Sequence, residues 1–138
     1  NMVEKVTQKE IEAAPDTTFI DTSDISVLKA YASNIVNGVD ENIFEPDTLI
    51  TREQIATMLY RAINYIENET GNEYVTKNDN LDNYTDKDMV SSWALSAVGV
   101  LANNEIMKGT SETTLSPQNN ASIEQCIVLV YRLFEKLI

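Results

Sequence analysis

Hydrophobic residues recur along this chain at intervals of three, four and seven positions, the spacing that places side chains on one face of an α-helix. Shorter stripes of this kind occur in the segments 25–35 and 93–102, and the segment Ser122–Ile138 is apolar over more than half of its circumference. The pattern predicts an all-α protein in which this last helix occupies the central position. The longest stripe consists of Ile55, Met58, Leu59, Ala62, Ile63 and Ile66. The predicted interior positions of the last helix are Ile123, Ile127, Val130, Phe134 and Leu137.

Turn-forming and capping residues predict the limits of the helices in the first third of the chain. Met2–Ala14 is predicted to be a short polar helix that ends at Pro15, because proline cannot continue a helix. Asp24 is a favourable N-cap for a second, amphipathic helix. Gly38 is expected to end this helix as its left-handed C-terminal residue.

Two helices further along the chain are predicted to begin with the same local motif. Thr51 precedes Gln54 by three positions, and Ser122 precedes Gln125 by three positions. This is the capping-box spacing, in which the hydroxyl accepts a backbone N–H and the glutamine side chain accepts the N–H of the cap residue. Each segment is therefore expected to begin a helix.

The two capping boxes belong to a longer internal repeat with a single offset of 71 residues, which also relates Gly38 to Gly109. Upstream of these glycines the copies differ, since Asp21 lies 17 residues before Gly38 and Asp86 lies 23 residues before Gly109. The first copy also lacks a counterpart of Trp93. Helical repeats usually bury their apolar faces against one another. The related pairs are Phe44 and Leu115, Pro46 and Pro117, Thr51 and Ser122, Glu53 and Glu124, Gln54 and Gln125, Tyr60 and Tyr131, and Arg61 and Arg132.

The repeat and the composition shifts between its copies predict one domain, residues 1–138, in four parts. Residues 1–18 form an N-terminal helix and connector, and residues 19–71 form a first helix-loop-helix unit, called unit 1. The polar segment 72–88 is expected to be a solvated linker. The last residues of this segment also begin unit 2, which consists of residues 84–138. The first helix of unit 2 is predicted to be capped by Asp88 or Ser91 and to end before Gly109.

Charge and composition exclude several classes of function. The net charge is −12, which opposes binding to nucleic acids and to anionic lipid surfaces. No segment is apolar over the length of a membrane span, and no signal peptide is recognisable at the N-terminus. The absence of histidine removes the usual general base near neutral pH, so an enzyme is not expected.

The chain also lacks the residue patterns that hold a metal or a cofactor, and neither is expected. Cys126 is the only cysteine, and its position in a helix suits a small buried side chain. The acidic run Asp79, Asp82, Asp86 and Asp88 lacks the glycine and glutamate positions of a calcium-binding EF-hand loop. These carboxylates are therefore expected to lie on a solvated surface.

The motifs of both units resemble those of the S-layer homology module of bacterial cell-surface proteins. The resemblance covers most of residues 19–138 and is most specific at the loop and second helix of unit 1. Unit 1 contains F-I-D (19–21), I-V-N-G (35–38), F-E-P (44–46) and I-T-R-E-Q (50–54). Unit 2 contains Y-T-D (84–86), S-W-A (92–94), I-M-K-G (106–109) and L-S-P (115–117).

The resemblance implies a non-catalytic module that anchors proteins, outside the cell, to the wall of Gram-positive bacteria. Its ligand in that family is an anionic, often pyruvylated, secondary cell-wall polysaccharide, bound in grooves between repeats. By position, Arg52 would pair with the anionic sugar, while Thr51 and Glu53 would shape the helix start. Trp93 would stack on a sugar face, and Gly38 is the fifth candidate residue for the glycan-binding site.

Each candidate also has a purely structural interpretation. Arg52, at the first position of a helix, also suits a solvated surface, and Trp93 also suits the core. Tyr60 and Arg61, repeated in unit 2, are interpreted as packing and surface positions. Ile123 stands where unit 2 should carry its arginine.

Only two units are recognisable, whereas the family usually works with three. Because Ile123 stands at the arginine position of unit 2, the alternative function is a protein-interaction or spacer module that has lost glycan binding. An alternative or additional partner is a second copy of the chain, with each copy completing the missing repeat of the other.

Overall fold

The computed structural model describes residues 2–138 and confirms the all-α class. Asn1, the first residue of the predicted domain, lies outside the described residues. Within the described part of the chain, β pairing is limited to two isolated bridges, Asp40 with Ile43 and Thr51 with Asn120. Two 3₁₀ turns, Lys87–Met89 and Ser92–Ala94, precede the fourth helix. The helices are α1 (Met2–Thr7), α2 (Ile25–Ala32), α3 (Arg52–Thr70), α4 (Leu95–Asn103) and α5 (Ile123–Leu137).

The central helix is α3, so the prediction that the last helix is central was wrong. Helix α3 packs against α1, α4, α5 and the 3₁₀ turn Ser92–Ala94. Helix α5 buries only Leu129, Leu133 and Leu137 fully, while Ile123 and Ile127 are 78% and 62% exposed. Its apolar surface is wider than the face that the rest of the protein covers. Hydrophobicity alone therefore overstated how much of α5 is interior.

Both predicted capping boxes are present at the starts of α3 and α5. The Thr51 hydroxyl accepts the Gln54 N–H at 3.3 Å, and the Gln54 side chain accepts the Thr51 N–H at 2.8 Å. Ser122 and Gln125 exchange the corresponding bonds, both at 3.1 Å. These bonds satisfy N–H groups that have no partner within the helix.

Helices α2 and α4 end in the same way; α4 ends before Gly109, as predicted, whereas α2 ends earlier than the sequence predicted. Asn34 and Glu105 have left-handed φ angles of 59° and 60°. The following N–H groups turn back to one carbonyl, Ala30 in unit 1 and Leu101 in unit 2, as at many helix C-termini. Gly38 therefore does not end α2. The left-handed residues and the two acceptors each differ by 71 positions, so the repeat seen in the sequence extends to the backbone.

An aspartate holds the loop between the two helices of each unit, residues 33–51 in unit 1 and residues 104–122 in unit 2. The Asp21 carboxylate accepts the N–H groups of Phe44 and Glu45 at 3.0 and 2.7 Å. The Asp86 carboxylate accepts those of Leu115 and Ser116 in unit 2, at 2.9 and 2.8 Å. These bonds fix the backbone where the loops turn toward α3 and α5. Asp86 thus has a structural role and is not merely a solvated acidic residue.

Protonation of Asp21 should loosen the loop of unit 1. The bonds from Phe44 and Glu45 lower the pKa of Asp21 because they stabilise its charged form. The stabilisation is therefore present above the usual aspartate pKa and is lost as pH falls through the lowered folded-state pKa. We expect the protection factors of the Phe44 and Glu45 amides, which correct for the intrinsic pH dependence of exchange, to fall in acid. In Asp21→Asn the protection should already be low at neutral pH and independent of pH, and wild-type protection in that variant would contradict the assignment.

The N-terminal helix ends at Thr7, well before the predicted limit at Ala14. The Thr7 hydroxyl donates to the Val3 carbonyl, and Gln8 adopts a left-handed φ of 56°. The chain then runs without regular structure, and Ile11 is buried in the core. Glu4 accepts the Ile11 N–H at 3.0 Å and pairs with Lys29 of α2 at 2.6 Å. Proline was therefore not what stopped this helix.

The segment 72–88 carries no α-helix but is bound to the rest of the protein, which corrects its description as solvated. Val75 and Leu81 are buried. The Asn104 side chain accepts the Thr76 N–H at 3.0 Å and donates to the Thr76 carbonyl at 2.9 Å. A Cβ at Gly99 would lie 2.3 Å from the Asp79 carbonyl oxygen, so the segment packs directly on α4. Units 1 and 2 are thus joined by an ordered connection.

Candidate functional site

Arg52 is buried between the units, with only 5% of its surface exposed. Its Nε donates to the Leu115 carbonyl and its Nη2 to the Lys108 carbonyl, both at 2.8 Å. Both acceptors belong to unit 2. The side chain therefore joins α3 to the loop of unit 2, and the interpretation of Arg52 as a solvated surface residue was wrong.

The backbone at the start of α3 is bound to the same loop. The N–H of Arg52 donates to Asn119 at 2.9 Å, and the N–H of Glu53 donates to Pro117 at 2.8 Å. The Ala121 N–H returns a bond of 2.7 Å to the Ile50 carbonyl. N–H groups that would otherwise be available to an anion at this helix N-terminus therefore already have protein acceptors.

Glu53 makes a second connection between the units. Its carboxylate accepts the Ser91 N–H at 2.8 Å and the Ser91 hydroxyl at 2.7 Å. Ser91 lies directly before the 3₁₀ turn that carries Trp93. Glu53 thereby fixes the position of Trp93 relative to α3.

The buried guanidinium has one nearby counter-charge. Burial lowers the pKa of Arg52 from its usual value, and the Asp86 carboxylate opposes this shift. Arginine nevertheless stays charged at neutral pH, because its usual pKa lies far above neutrality. The positive charge is neutralised within the protein, by Asp86 and by two carbonyl dipoles, rather than presented to solvent.

An open groove lies between the loop of unit 1, helix α3 and the 3₁₀ turn of unit 2. We call it the loop groove; its volume is about 480 Å³. Its lining includes the candidates Gly38 and Trp93, and Trp93 is 59% exposed. The interpretation of Trp93 as a core residue was therefore wrong. Other lining residues are Asn37, Phe44, Glu45, Leu49, Gln54, Met58 and Arg61.

Arg61 is the one cationic side chain among the described residues that line the loop groove. It is half-buried on α3, and its Nη1 donates to the Asn37 side-chain oxygen at 3.2 Å when the Asn37 nitrogen faces the Val36 carbonyl. A positive charge and an exposed tryptophan that line the same groove suit an anionic sugar, through ion pairing and ring stacking.

The five candidates from the sequence thus fall into two groups. Gly38 and Trp93 lie at the loop groove. Thr51 caps α3, and Arg52 and Glu53 hold unit 2 in place. The second group does not line the groove but sets the positions of the elements that do.

Sequence reasoning missed Arg61, which was interpreted as a surface position shared by the repeats. A signal was available, since Gln54, Thr57 and Arg61 follow the helical spacing that places them on one face of α3. The sequence does not show that unit 2 covers the face of α3 that contains Arg52 and leaves the face that contains Arg61 open.

Within residues 2–138, none of the helices combines the length and the hydrophobicity of a membrane span. The same residues contain no group of three or more cysteine, aspartate or glutamate side chains arranged to hold a metal ion.

Comparison with protein families gives a match to the S-layer homology domain. The family model matches residues 20–56 and 83–122, more than half of the chain. The chain belongs to the S-layer homology family. The first matched segment contains the whole capping box of unit 1. The second ends at the first residue of the capping box of unit 2. The S-layer homology match therefore agrees with the two repeats inferred from the offset of 71 positions.

Three relatives carry similar S-layer homology sequences. An endoglucanase of Bacillus sp. (strain KSM-635) is 32% identical over 111 residues, which are 80% of this chain and 11% of the endoglucanase. An amylopullulanase of Thermoanaerobacterium thermosulfurigenes is 27% identical over 80% of this chain and 6% of its own length. A surface layer protein of Brevibacillus choshinensis is 29% identical over 87% of this chain and 10% of its own length. The chain therefore spans about a tenth or less of each relative.

Proposed function

We propose that this S-layer homology chain is a non-catalytic module that holds a protein at the bacterial cell surface. We propose further that its ligand is an anionic cell-wall polysaccharide, bound in the loop groove. The observation that carries this proposal is that Arg61 and the exposed Trp93 line the same open groove between two repeats. The similarity to a surface layer protein supports the location at the cell surface.

The organisation of the chain under this proposal is two helix-loop-helix units, residues 19–71 and 84–138, arranged with α1 around α3. Arg61 and Trp93 contact the glycan directly, and Gly38 lets the loop backbone lie close to it. Thr51, Arg52 and Glu53 act as positioning residues, because their side chains make the helix cap and the contacts between units. The direct pairing of Arg52 with sugar, expected from the family motif, is thereby replaced by Arg61.

The net charge of −12 opposes an anionic polymer at long range, so attraction must come from the groove itself. Arg61 can supply a bidentate contact to a carboxylate, and the wall formed by Trp93 reduces screening by water on one side. Moderate salt should therefore have two opposing effects, weakening the local ion pair and reducing the overall repulsion.

Arg61→Ala should lower retention of the purified protein on wall sacculi by at least about tenfold, because a charged hydrogen bond contributes about 1.5–3 kcal/mol. The matched control is Arg132→Ala, which removes the equivalent arginine of unit 2, also half-buried but outside the loop groove. Retention is measured by co-sedimentation with sacculi, with and without their polysaccharide. Equal loss in both variants would show general electrostatic adhesion and would contradict the assignment of the groove.

A second candidate is an interaction or spacer module that has lost glycan binding. It is favoured by Ile123, which replaces the motif arginine in unit 2, and by the full use of Arg52 inside the protein. Under this alternative no wall polysaccharide raises the melting temperature, and all variants of the groove sediment with sacculi as the wild type does. A ligand-dependent shift that Arg61→Ala abolishes would decide for the first function.

A further inference from the structure

Helix α5 carries an exposed apolar face that the proposed glycan site does not use. Ile123, Ile127, Val130 and Phe134 follow one another at intervals of four, three and four residues, the spacing of a seam between paired helices. Ile127, Val130 and Phe134 also line a shallow depression of about 450 Å³, together with Met2, Cys126 and Tyr131. We call this surface the α5 face.

The internal repeat shows what this side of the helix does elsewhere in the protein. At an offset of 71 positions, Ile127, Val130 and Phe134 correspond to Ala56, Leu59 and Ile63 of α3. All three α3 residues are buried, and α3 packs against α1, α4, α5 and the 3₁₀ turn Ser92–Ala94. On α3 this side of the helix is therefore covered by the rest of the protein. On α5 the corresponding side is open.

The chemistry of the α5 face indicates what kind of surface would cover it. Its first position is Ile123, where α3 has Arg52. Arg52 donates two hydrogen bonds to loop carbonyls, whereas isoleucine would leave such carbonyls without a donor. The occupant must therefore present apolar side chains rather than a polar loop like that of unit 2.

A second copy of the chain meets this requirement with the α5 face itself. The segment Ile123–Ile138 carries two acidic and two basic residues and is locally neutral, although the whole chain has a net charge of −12. Two copies can therefore approach through this segment with little local repulsion. Elsewhere their like charges oppose contact. The charged residues of α5 are Glu124, Arg132, Glu135 and Lys136.

We propose that the α5 face is a self-association surface, on which two copies pair α5 against α5 about a two-fold axis near Val130. The helices run antiparallel, which places opposite ends of the helix dipoles side by side. Ile123 of each copy then lies toward the C-terminal end of the other helix. This inference does not depend on the glycan proposal, because the loop groove lies outside the α5 face.

The dimer should be weak and should strengthen with salt. A helix of 15 residues is about 22 Å long, so the contact is smaller than that of standard stable complexes. Salt screens the repulsion between two chains of charge −12 while leaving the apolar contact intact. An interface based on ion pairs would respond to salt in the opposite direction.

Sedimentation equilibrium of the full chain over a range of concentrations and NaCl levels tests the proposal. The wild type should shift from 15.5 kDa toward twice that mass, at lower protein concentration when NaCl is added. Ile127→Glu should weaken association at least tenfold, since it places two carboxylates in the apolar contact. The matched control is Val128→Glu, which adds the same charge at an exposed neighbour that does not line the depression.

A second measurement reports the geometry and keeps the test valid if Ile127→Glu fails to fold. In a Cys126→Ser background, Val130→Cys should form a disulfide-linked dimer on mild oxidation, because the two copies of residue 130 meet at the axis. Val128→Cys should cross-link far more slowly, since it lies on the opposite side of α5 from Val130. A monomer at every concentration and salt level would overturn the proposal. Equal behaviour of residues 128 and 130 in cross-linking would also overturn it.

Discussion

Arg52→Ala should lower the free energy of unfolding by about 3–5 kcal/mol, because it removes two charged hydrogen bonds and leaves their carbonyl acceptors without a donor. The acceptors, Leu115 and Lys108, lie on the loop of unit 2, so the loss loosens the contact between units. For a chain of 138 residues the melting temperature should fall by roughly 10 °C or more. Urea denaturation followed by circular dichroism measures the change.

Two matched variants separate this role from a general effect of arginine. Arg52→Lys keeps the charge, but an ammonium group cannot reproduce both hydrogen bonds of the planar guanidinium. The decrease in the free energy of unfolding should therefore be intermediate. Arg61→Ala removes a half-buried arginine from the same helix and should cost about 1 kcal/mol or less. If Arg52→Ala were as stable as Arg61→Ala, the guanidinium would have to be a solvated group. The contacts with unit 2 would then contribute little.

Gly38→Ala should be more destabilising than Gly71→Ala by about 2 kcal/mol or more. Both glycines have left-handed φ angles, 80° and 72°, which cost an L-residue about 1–2 kcal/mol. A Cβ at Gly71 would meet nothing within 4 Å. A Cβ at Gly38 would lie 2.6 Å from the Ile43 carbonyl oxygen and 2.8 Å from the Phe19 ring. Only Gly38→Ala therefore adds a steric clash to the backbone strain.

The same pair of variants tests the loop groove, because Gly38 lies in its lining and Gly71 does not. Gly38→Ala should displace the loop of unit 1 and lower retention on wall sacculi, even at temperatures where the variant remains folded. Gly71→Ala should be retained as the wild type is. Chemical denaturation and co-sedimentation of both proteins give the two readouts. Similar stability of the two variants would contradict the prediction, because the loop of unit 1 would then accommodate a Cβ at Gly38 at little cost in free energy.

Features set by neighbouring residues were the ones that sequence predicted correctly. The capping boxes of Thr51 and Ser122 depend on bonds within four residues, so local spacing suffices to identify them. The repeat was visible because one offset relates the two units without a gap. Helix ends were predicted less well, because Asn34 and Glu105, rather than a glycine, adopt the left-handed conformation.

Features set by contacts between units were not predictable from local patterns. Arg52 reads as a surface residue until its acceptors, 56 and 63 positions away along the chain, are placed beside it. Trp93 has the spacing of a core residue, but the 3₁₀ turn before α4 directs it to the loop groove. The position of Arg61 in that groove likewise depends on which face of α3 unit 2 covers.

The bonds between Arg52 and unit 2 also bear on the order in which the protein can fold during synthesis. Unit 1 leaves the ribosome first, and its buried guanidinium then has neither of its carbonyl acceptors, because Lys108 and Leu115 have not yet been made. Until they appear, Arg52 must remain hydrated and the start of α3 must stay open to water. Unit 1 therefore completes its structure only when unit 2 emerges, and the two repeats mature as one cooperative body rather than one after the other.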